Sequence, residues 1–172
     1  MRTLILGGAR SGKSRLAEKM ARESGRAVTY IATAQALDAE MAARIAHHRE
    51  RRPAGWHTVE EPLALAAAIA VHAATDRCVL VDCLTLWLTN LLLHPQPELF
   101  ARERTALLEV LPGLPGQIVL VSNETGMGIV PEGELSRRFN DEAGWLHQDL
   151  AERCDNVLLA VAGLPLILKG NT

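Results

Sequence analysis

Residues 7–14 read Gly-Gly-Ala-Arg-Ser-Gly-Lys-Ser, and this octet constrains the fold more than anything else in the 172-residue chain. Gly7, four residues, Gly12, Lys13 and Ser14 match GxxxxGK[ST] in full, between a short apolar run at 3–6 and a helix-like run at 12–23. Strand, glycine loop and helix in that order present consecutive backbone N–H groups and a helix N-terminus to an anion. The glycines let the main chain close around phosphate oxygens. In such a loop Gly7, Gly8, Ala9, Arg10, Ser11 and Gly12 wrap the phosphates, Lys13 reaches the β- and γ-phosphates, and the Ser14 hydroxyl binds Mg²⁺. The motif predicts ATP or GTP as ligand and leaves the reaction open.

The rest of the chain alternates strand-like and helix-like runs. Strands are expected at 27–32, 78–82, 117–121 and 157–161. Helices are expected at 38–52, 62–74, 84–93, 98–110 and 132–153. Asp38 is a candidate cap for the second helix, and Pro53 and Gly55 follow its end. Cys78-Val79-Leu80-Val81-Asp82 has no polar alternation, as expected of a strand buried on both faces. Repeated βα units of this kind predict an α/β fold, P-loop NTPase-like (RecA-like), with three layers and a mainly parallel sheet. A very short turn at 163–165 joins the last two apolar runs, so they are expected to form an antiparallel hairpin at the C-terminal edge. No linker divides the chain, which predicts one domain over 1–172.

Aromatic residues make up only 3%, so the core must be built from Leu, Val, Ile and Ala. A formal net charge of −2 gives no basic surface for nucleic acid. The apolar start is too short for a secretory signal, and the leucine-rich run 84–93 is too short and too polar to span a membrane. Cys78, Cys83 and Cys154 are odd in number and contain no CxxC pair, which predicts reduced, structural thiols in a cytoplasmic protein.

Asp82 ends an apolar strand, where a carboxylate can approach the metal of a bound nucleotide; it can also cap the helix that follows. In 37–52 the helical period places Glu40, Arg44, His47 and Arg51 on one face and Met41, Ile45 and His48 on another. Two guanidiniums one turn from His47 would keep its imidazole neutral, and so nucleophilic towards phosphorus. Taken by themselves, these residues read more simply as a solvated face with an incidental histidine. Adjacent His47 and His48 point about 100° apart on a helix and cannot easily chelate one ion.

GGARSGKSRLAE, YIATAQALDAEMAARIAHHRERRPAGWHTVEEP, VDCLTLWLTNLL and VSNETGMGIVPEGELSRRF together span nearly the whole chain. In these segments the chain resembles the bifunctional cobinamide kinase / cobinamide-phosphate guanylyltransferase family of cobalamin biosynthesis. The resemblance implies phosphorylation of the aminopropanol hydroxyl of adenosylcobinamide with ATP or GTP. It also implies transfer of GMP from GTP to adenosylcobinamide phosphate, with pyrophosphate released. It makes His47 the guanylylated residue and Lys13 its catalytic companion in the phosphate loop. It extends nucleotide binding from that loop to Thr33, Ala34, Gln35, His48, Arg49, Glu50, Arg51, Glu60 and Asp82, with Ser14 and Asp82 on Mg²⁺. A homotrimer with sites between subunits is part of the same expectation. Read by itself, Glu60 is a carboxylate in a surface loop.

The chain departs from the family pattern at Thr125, where valine is usual, and at Asn140 and His147, where arginine and asparagine are usual. These changes lie outside the nucleotide motifs and bear on corrinoid contact or subunit packing. Residues 123–131 read as a loop at a strand end, where open α/β sheets hold ligands. Two other readings use the same phosphate loop: a single-function small-molecule kinase that leaves His47 unmodified, and a nucleotide-dependent switch.

Overall fold

Strands that are apolar on both faces need cover on both, and the period of two along each strand decides which side chain faces which layer. The structure, a computed structural model, describes residues 1–35 and 53–171. It contains one seven-stranded sheet in the order β3-β2-β4-β5-β1-β6-β7. The strands are β1 (Arg2–Gly7), β2 (Ala27–Ala32), β3 (His57–Glu60), β4 (Arg77–Asp82), β5 (Gln117–Asn123), β6 (Asn156–Val161) and β7 (Leu164–Lys169). All neighbouring pairs are parallel except β6 and β7, the expected edge hairpin.

Leu4, Leu6, Val79, Val81, Ile118 and Leu120 point to one face. There they meet helices α2 (Leu65–His72), α3 (Leu84–Leu92), α4 (Glu98–Val110) and α5 (Glu134–Arg153). Ile5, Cys78, Leu80, Val119 and Val121 point to the other face, against Ala17 and Ala21 of α1 (Lys13–Glu23). Few aromatics anchor the core: Trp87 of α3 is fully buried, and its indole N–H donates to the Leu63 carbonyl at 2.8 Å. Cys78, Cys83 and Cys154 are buried and free; burial pushes Cys78 up to about 11 and Cys154 up to about 12.

The expected elements differ from the observed ones mainly at their ends. The helix expected from residue 62 starts at Leu65, because Glu61 Oε1 accepts from the N–H groups of Leu63 and Ala64 at 2.8 and 2.7 Å and holds that stretch as a turn. The strand expected over 117–121 runs on to Asn123, where it pairs with Gly7. Asp38 and the helix expected over 38–52 lie outside the described residues. Glu60, read as a loop residue, ends the short edge strand β3, which pairs with β2 over four positions from Thr29–His57 to Ala32–Glu60. A four-residue strand with both end side chains exposed carries too little hydrophobic pattern to be recognised without its partner.

His147 joins α5 to β5. Its Nε2 is 2.8 Å from the fully buried Ser122 hydroxyl, and its Nδ1 is 3.8 Å from Glu124 Oε2. Burial lowers the His147 pKa below the usual imidazole value, and the Glu124 carboxylate opposes this.

Replacing Trp87 by alanine should cost about 3–5 kcal/mol, read as a lower denaturant midpoint at unchanged slope. A second expectation concerns acid. Above its unfolded value of 6.5 His147 is neutral in both states and contributes no pH dependence. As pH falls below that value, the unfolded chain binds a proton that the folded chain resists, so stability drops. Chemical denaturation of His147→Gln at a series of pH values should show a shallower acid decline. Some slope should remain from His72, which burial, then His57 and Arg77, also lower.

Candidate active site

The parallel strands β1 to β5 all deliver their C-terminal ends to one edge of the sheet, and the motif residues gather there. β1 ends at Gly7. A Cβ on Gly7 would stand 2.5 Å from Ser11 Oγ and 2.8 Å from the Ala160 carbonyl oxygen, so only glycine fits. The loop turns through Arg10 at φ 57° and Gly12 at φ 95°. A Cβ on Gly12 would lie 2.9 Å from Gly163 Cα. Two backbone bonds fix the loop to its neighbours. Glu124 N–H donates to the Gly7 carbonyl at 3.0 Å, and Gly163 N–H donates to the Ser11 carbonyl at 2.8 Å.

Gly12 is the N-cap of α1 and makes no side-chain capping bond, and the first turn holds no acidic residue. The leading N–H groups of α1 therefore face the loop with their partial positive charge uncompensated. Lys13 Nζ lies over the loop, 3.2 Å from the Gly8 carbonyl. Gly8, Ala9 and Arg10 are exposed, while Ser11, Lys13 and Ser14 are half-buried. The arrangement can enclose a polyphosphate from below and place an ammonium against it.

β4 brings Asp82 level with Ala32 of β2 and Val121 of β5. Tyr30, the only tyrosine in the chain, donates its hydroxyl to Asp82 Oδ2 at 2.9 Å. The N-cap of α3 is Cys83, without a side-chain capping bond, so Asp82 is not the cap of that helix. Thr33 is fully buried and braces the turn: its hydroxyl donates to the Cys83 carbonyl at 2.7 Å and accepts from Cys83 N–H at 3.0 Å. Ala34 is half-buried and Gln35 exposed. Asn90 of α3 donates to the Thr33 and Pro62 carbonyls at 2.8 and 3.1 Å, tying the segment after β2 to the one after β3.

Burial holds the Cys83 thiol protonated, the Asp82 charge adds to this, and the Lys13 charge opposes it. Only β5 stands between β1 and β4, so the loop after Gly7 and the Asp82 strand end lie on the same edge with one strand between them. Glu60 is level with Ala32 from the opposite side to Asp82, so the two carboxylates sit two strands apart along the edge. The Trp56 ring stacks 6.5 Å from Tyr30, which places the start of the WxTxE run against the aromatic that holds Asp82. His47, His48, Arg49, Glu50 and Arg51 lie outside the described residues.

The sequence reading gave no role to Tyr30, Asn90 and Thr85, which position the site from within the quoted segments. Thr85 Oγ1 accepts from Asn123 Nδ2 at 2.7 Å and lies 3.0 Å from Cys83 Sγ. The isolation of Tyr30 in a chain so poor in aromatics was the one signal that could have singled it out.

Among solved structures, the RadB recombinase superposes with a TM-score of 0.51 at 16% identity, over 92% of this chain and 73% of that one. A structure from Pyrococcus horikoshii OT3 superposes with 0.53 at 10% identity, over 99% and 87%. At such identity the likeness shows the fold alone, the expected RecA-like α/β architecture. Sequence likeness goes further. The chain is 69% identical over 170 residues to the "Bifunctional adenosylcobalamin biosynthesis protein CobP" of Pseudomonas aeruginosa, covering 99% of this chain and 98% of that protein. It is 44% identical over 182 aligned positions to the CobU protein of Salmonella typhimurium, which carries the same description, covering 98% and 100%. Residues 3–168 match the family model described as "Cobinamide kinase / cobinamide phosphate guanyltransferase". With a phosphate loop and a strand-end carboxylate at one sheet edge and a family match over nearly its whole length, the chain belongs to the cobinamide kinase / cobinamide phosphate guanyltransferase family of cobalamin-biosynthesis enzymes.

Proposed function

We propose that this enzyme phosphorylates the aminopropanol hydroxyl of adenosylcobinamide with ATP or GTP. It then transfers GMP from GTP to the new phosphate through a guanylyl-histidine at His47. The observation that carries the reading is a phosphate loop and the Asp82 end of β4 on the same C-terminal edge of the sheet, in a chain whose relatives are described as bifunctional.

In the phosphorylation step the loop N–H groups and Lys13 bind the β- and γ-phosphates and stabilise charge that grows as the γ-phosphoryl leaves. Asp82 and Ser14 suit Mg²⁺. They are hard oxygen donors, Tyr30 occupies Asp82 Oδ2 and leaves Oδ1, and the described residues contain no cluster of three or more His, Cys, Asp or Glu that would form a closed cage. Held by Ser14 and Asp82, Mg²⁺ would supply positive charge against the phosphates of the nucleotide.

In the guanylyl step the neutral His47 ring nitrogen attacks the α-phosphorus of GTP. A P–N bond forms, the bond to the bridging oxygen breaks, and pyrophosphate leaves. The acceptor's phosphate oxygen then attacks the same phosphorus, the P–N bond breaks, and His47 is restored. Arg44 or Arg51 steadies the charge, and Thr33 to Gln35, His48 to Arg51 and Glu60 complete the nucleotide site. A single-function kinase would use the same loop and leave His47 unmodified.

GTP labelled on the α-phosphate, mixed with the protein and Mg²⁺ without corrinoid, should leave label on the protein that survives alkali and is lost in acid. It should be absent from His47→Ala, and a lack of label in nucleotide-binding protein would return the reading to a plain kinase. Lys13→Ala should lower the rate of adenosylcobinamide phosphorylation by about 10²-fold or more, the scale of losing a preorganised charge at a transition state. A Lys13→Ala enzyme that phosphorylates at the normal rate would take the reaction away from this loop.

A further inference from the structure

A cavity of about 290 Å³ opens between the C-terminal half of α3, the loop after β5 and the first turns of α5. Leu92, Leu135 and Phe139 make its apolar wall, and Thr89, Thr125 and Asn140 bring hydroxyls and an amide into it. We propose that it receives the aminopropanol arm of the corrinoid acceptor while the corrin ring stays outside, against the apolar loop at its mouth. The inference rests on the function proposed above and names the acceptor's place in that site.

Three observations carry it. The first is position. Thr89 lies one helical turn beyond Thr85, whose carbonyl accepts from its hydroxyl at 3.0 Å. Thr85 in turn contacts Cys83 and Asn123, which adjoin Asp82 and Glu124. Thr125 follows Glu124, the residue bonded to Gly7. The cavity is therefore linked through Thr85 to the turn after Asp82 and through Glu124 to the phosphate loop. Lys13 and Asp82 mark the γ-phosphate end of a nucleotide in this kind of loop. The nucleoside extends from the opposite, α-phosphate end, which leaves the γ-phosphate end open to an acceptor.

The second observation is that the cavity is built in advance. Glu124 Oε1 accepts from Gly126 N–H at 2.5 Å, and Oε2 lies 3.8 Å from Nδ1 of the buried His147. With the bond from Glu124 N–H to Gly7, this sets Thr125 from three directions. The third is size and surface. A volume near 290 Å³ is at the lower limit for small-molecule sites and suits a short amide-linked alcohol. A corrin ring with its side chains is several times too large. Between Thr125 and Leu135 the chain exposes Met127, Ile129 and Val130, with Ile129 97% accessible. An apolar face of this kind marks a ligand or partner surface, and a methyl-bearing corrin edge fits it.

Ser136 lines the mouth and is exposed in the first turn of α5, so tryptophan there fills the opening without entering the core. The test is equilibrium dialysis of adenosylcobinamide, followed by its absorbance, against the whole protein, Ser136→Trp and Asn140→Ala. The dissociation constant should rise about ten-fold or more in Ser136→Trp and about three-fold in Asn140→Ala. Labelling by GTP without corrinoid should be equal in all three, which shows that the nucleotide site is intact. Corrinoid affinity within about two-fold of the unsubstituted protein would overturn the assignment. So would a changed subunit number with unchanged corrinoid affinity, which would give the cavity to contact between chains. Failure of the unsubstituted protein to bind corrinoid or take label would instead bring down the proposed function itself.

Discussion

The N–H of Glu124 donates to the carbonyl of Gly7 and the N–H of Gly163 to that of Ser11, so the loop that opens α1 is gripped from the strands on both sides of β1. Consecutive amides can be aimed at an anion only if they are not free to turn back on themselves. Here β5 and the β6–β7 turn supply that restraint. Glycine at 7 and 12 is the steric counterpart, since a side chain on Gly7 would collide with Ser11 and Ala160 and one on Gly12 with Gly163. The motif is therefore a property of the sheet as much as of eight residues.

A sheet covered on both faces confines its polar chemistry to the strand ends. The result is an edge where backbone, hydroxyls and amides hold the few charged groups in place. Tyr30 holds Asp82, Thr33 holds the turn beyond it, and Asn90 holds Thr33. Each of these supports is neutral. A cationic partner for Asp82 would have competed for the carboxylate, whereas a phenol leaves its negative charge available.

Much of this was legible in the sequence. The phosphate loop, the buried strands around Leu4 and Leu80, the antiparallel hairpin and the bounds of α4 all follow from local pattern, because burial on both faces and helix periodicity are written in consecutive residues. β3 was not legible, since four residues at an edge become a strand only through pairing with β2. Neither was the role of Tyr30 or Asn90, whose partners lie 52 and 57 positions away. His147 was noticed as a departure from the family pattern, but its meaning comes from Ser122 and Glu124, which meet it only when α5 packs on β5. Sequence order carries information on local form, and most of the missing pieces were long-range contacts.

The strand order also has a consequence for how the protein comes into being. β1 is the first strand made, yet it pairs only with β5 and β6, beginning at Arg2 with Ile118 and at Thr3 with Asn156. Its apolar residues wait through most of translation before either neighbour exists, and the cost of closing so long a loop must be met before pairing rewards it. The grip on Ser11 needs Gly163, which immediately precedes the last strand. Nucleotide thus has no complete phosphate loop to stabilise on a nascent chain. Until then the apolar run of β1 has neither of its sheet neighbours to cover it.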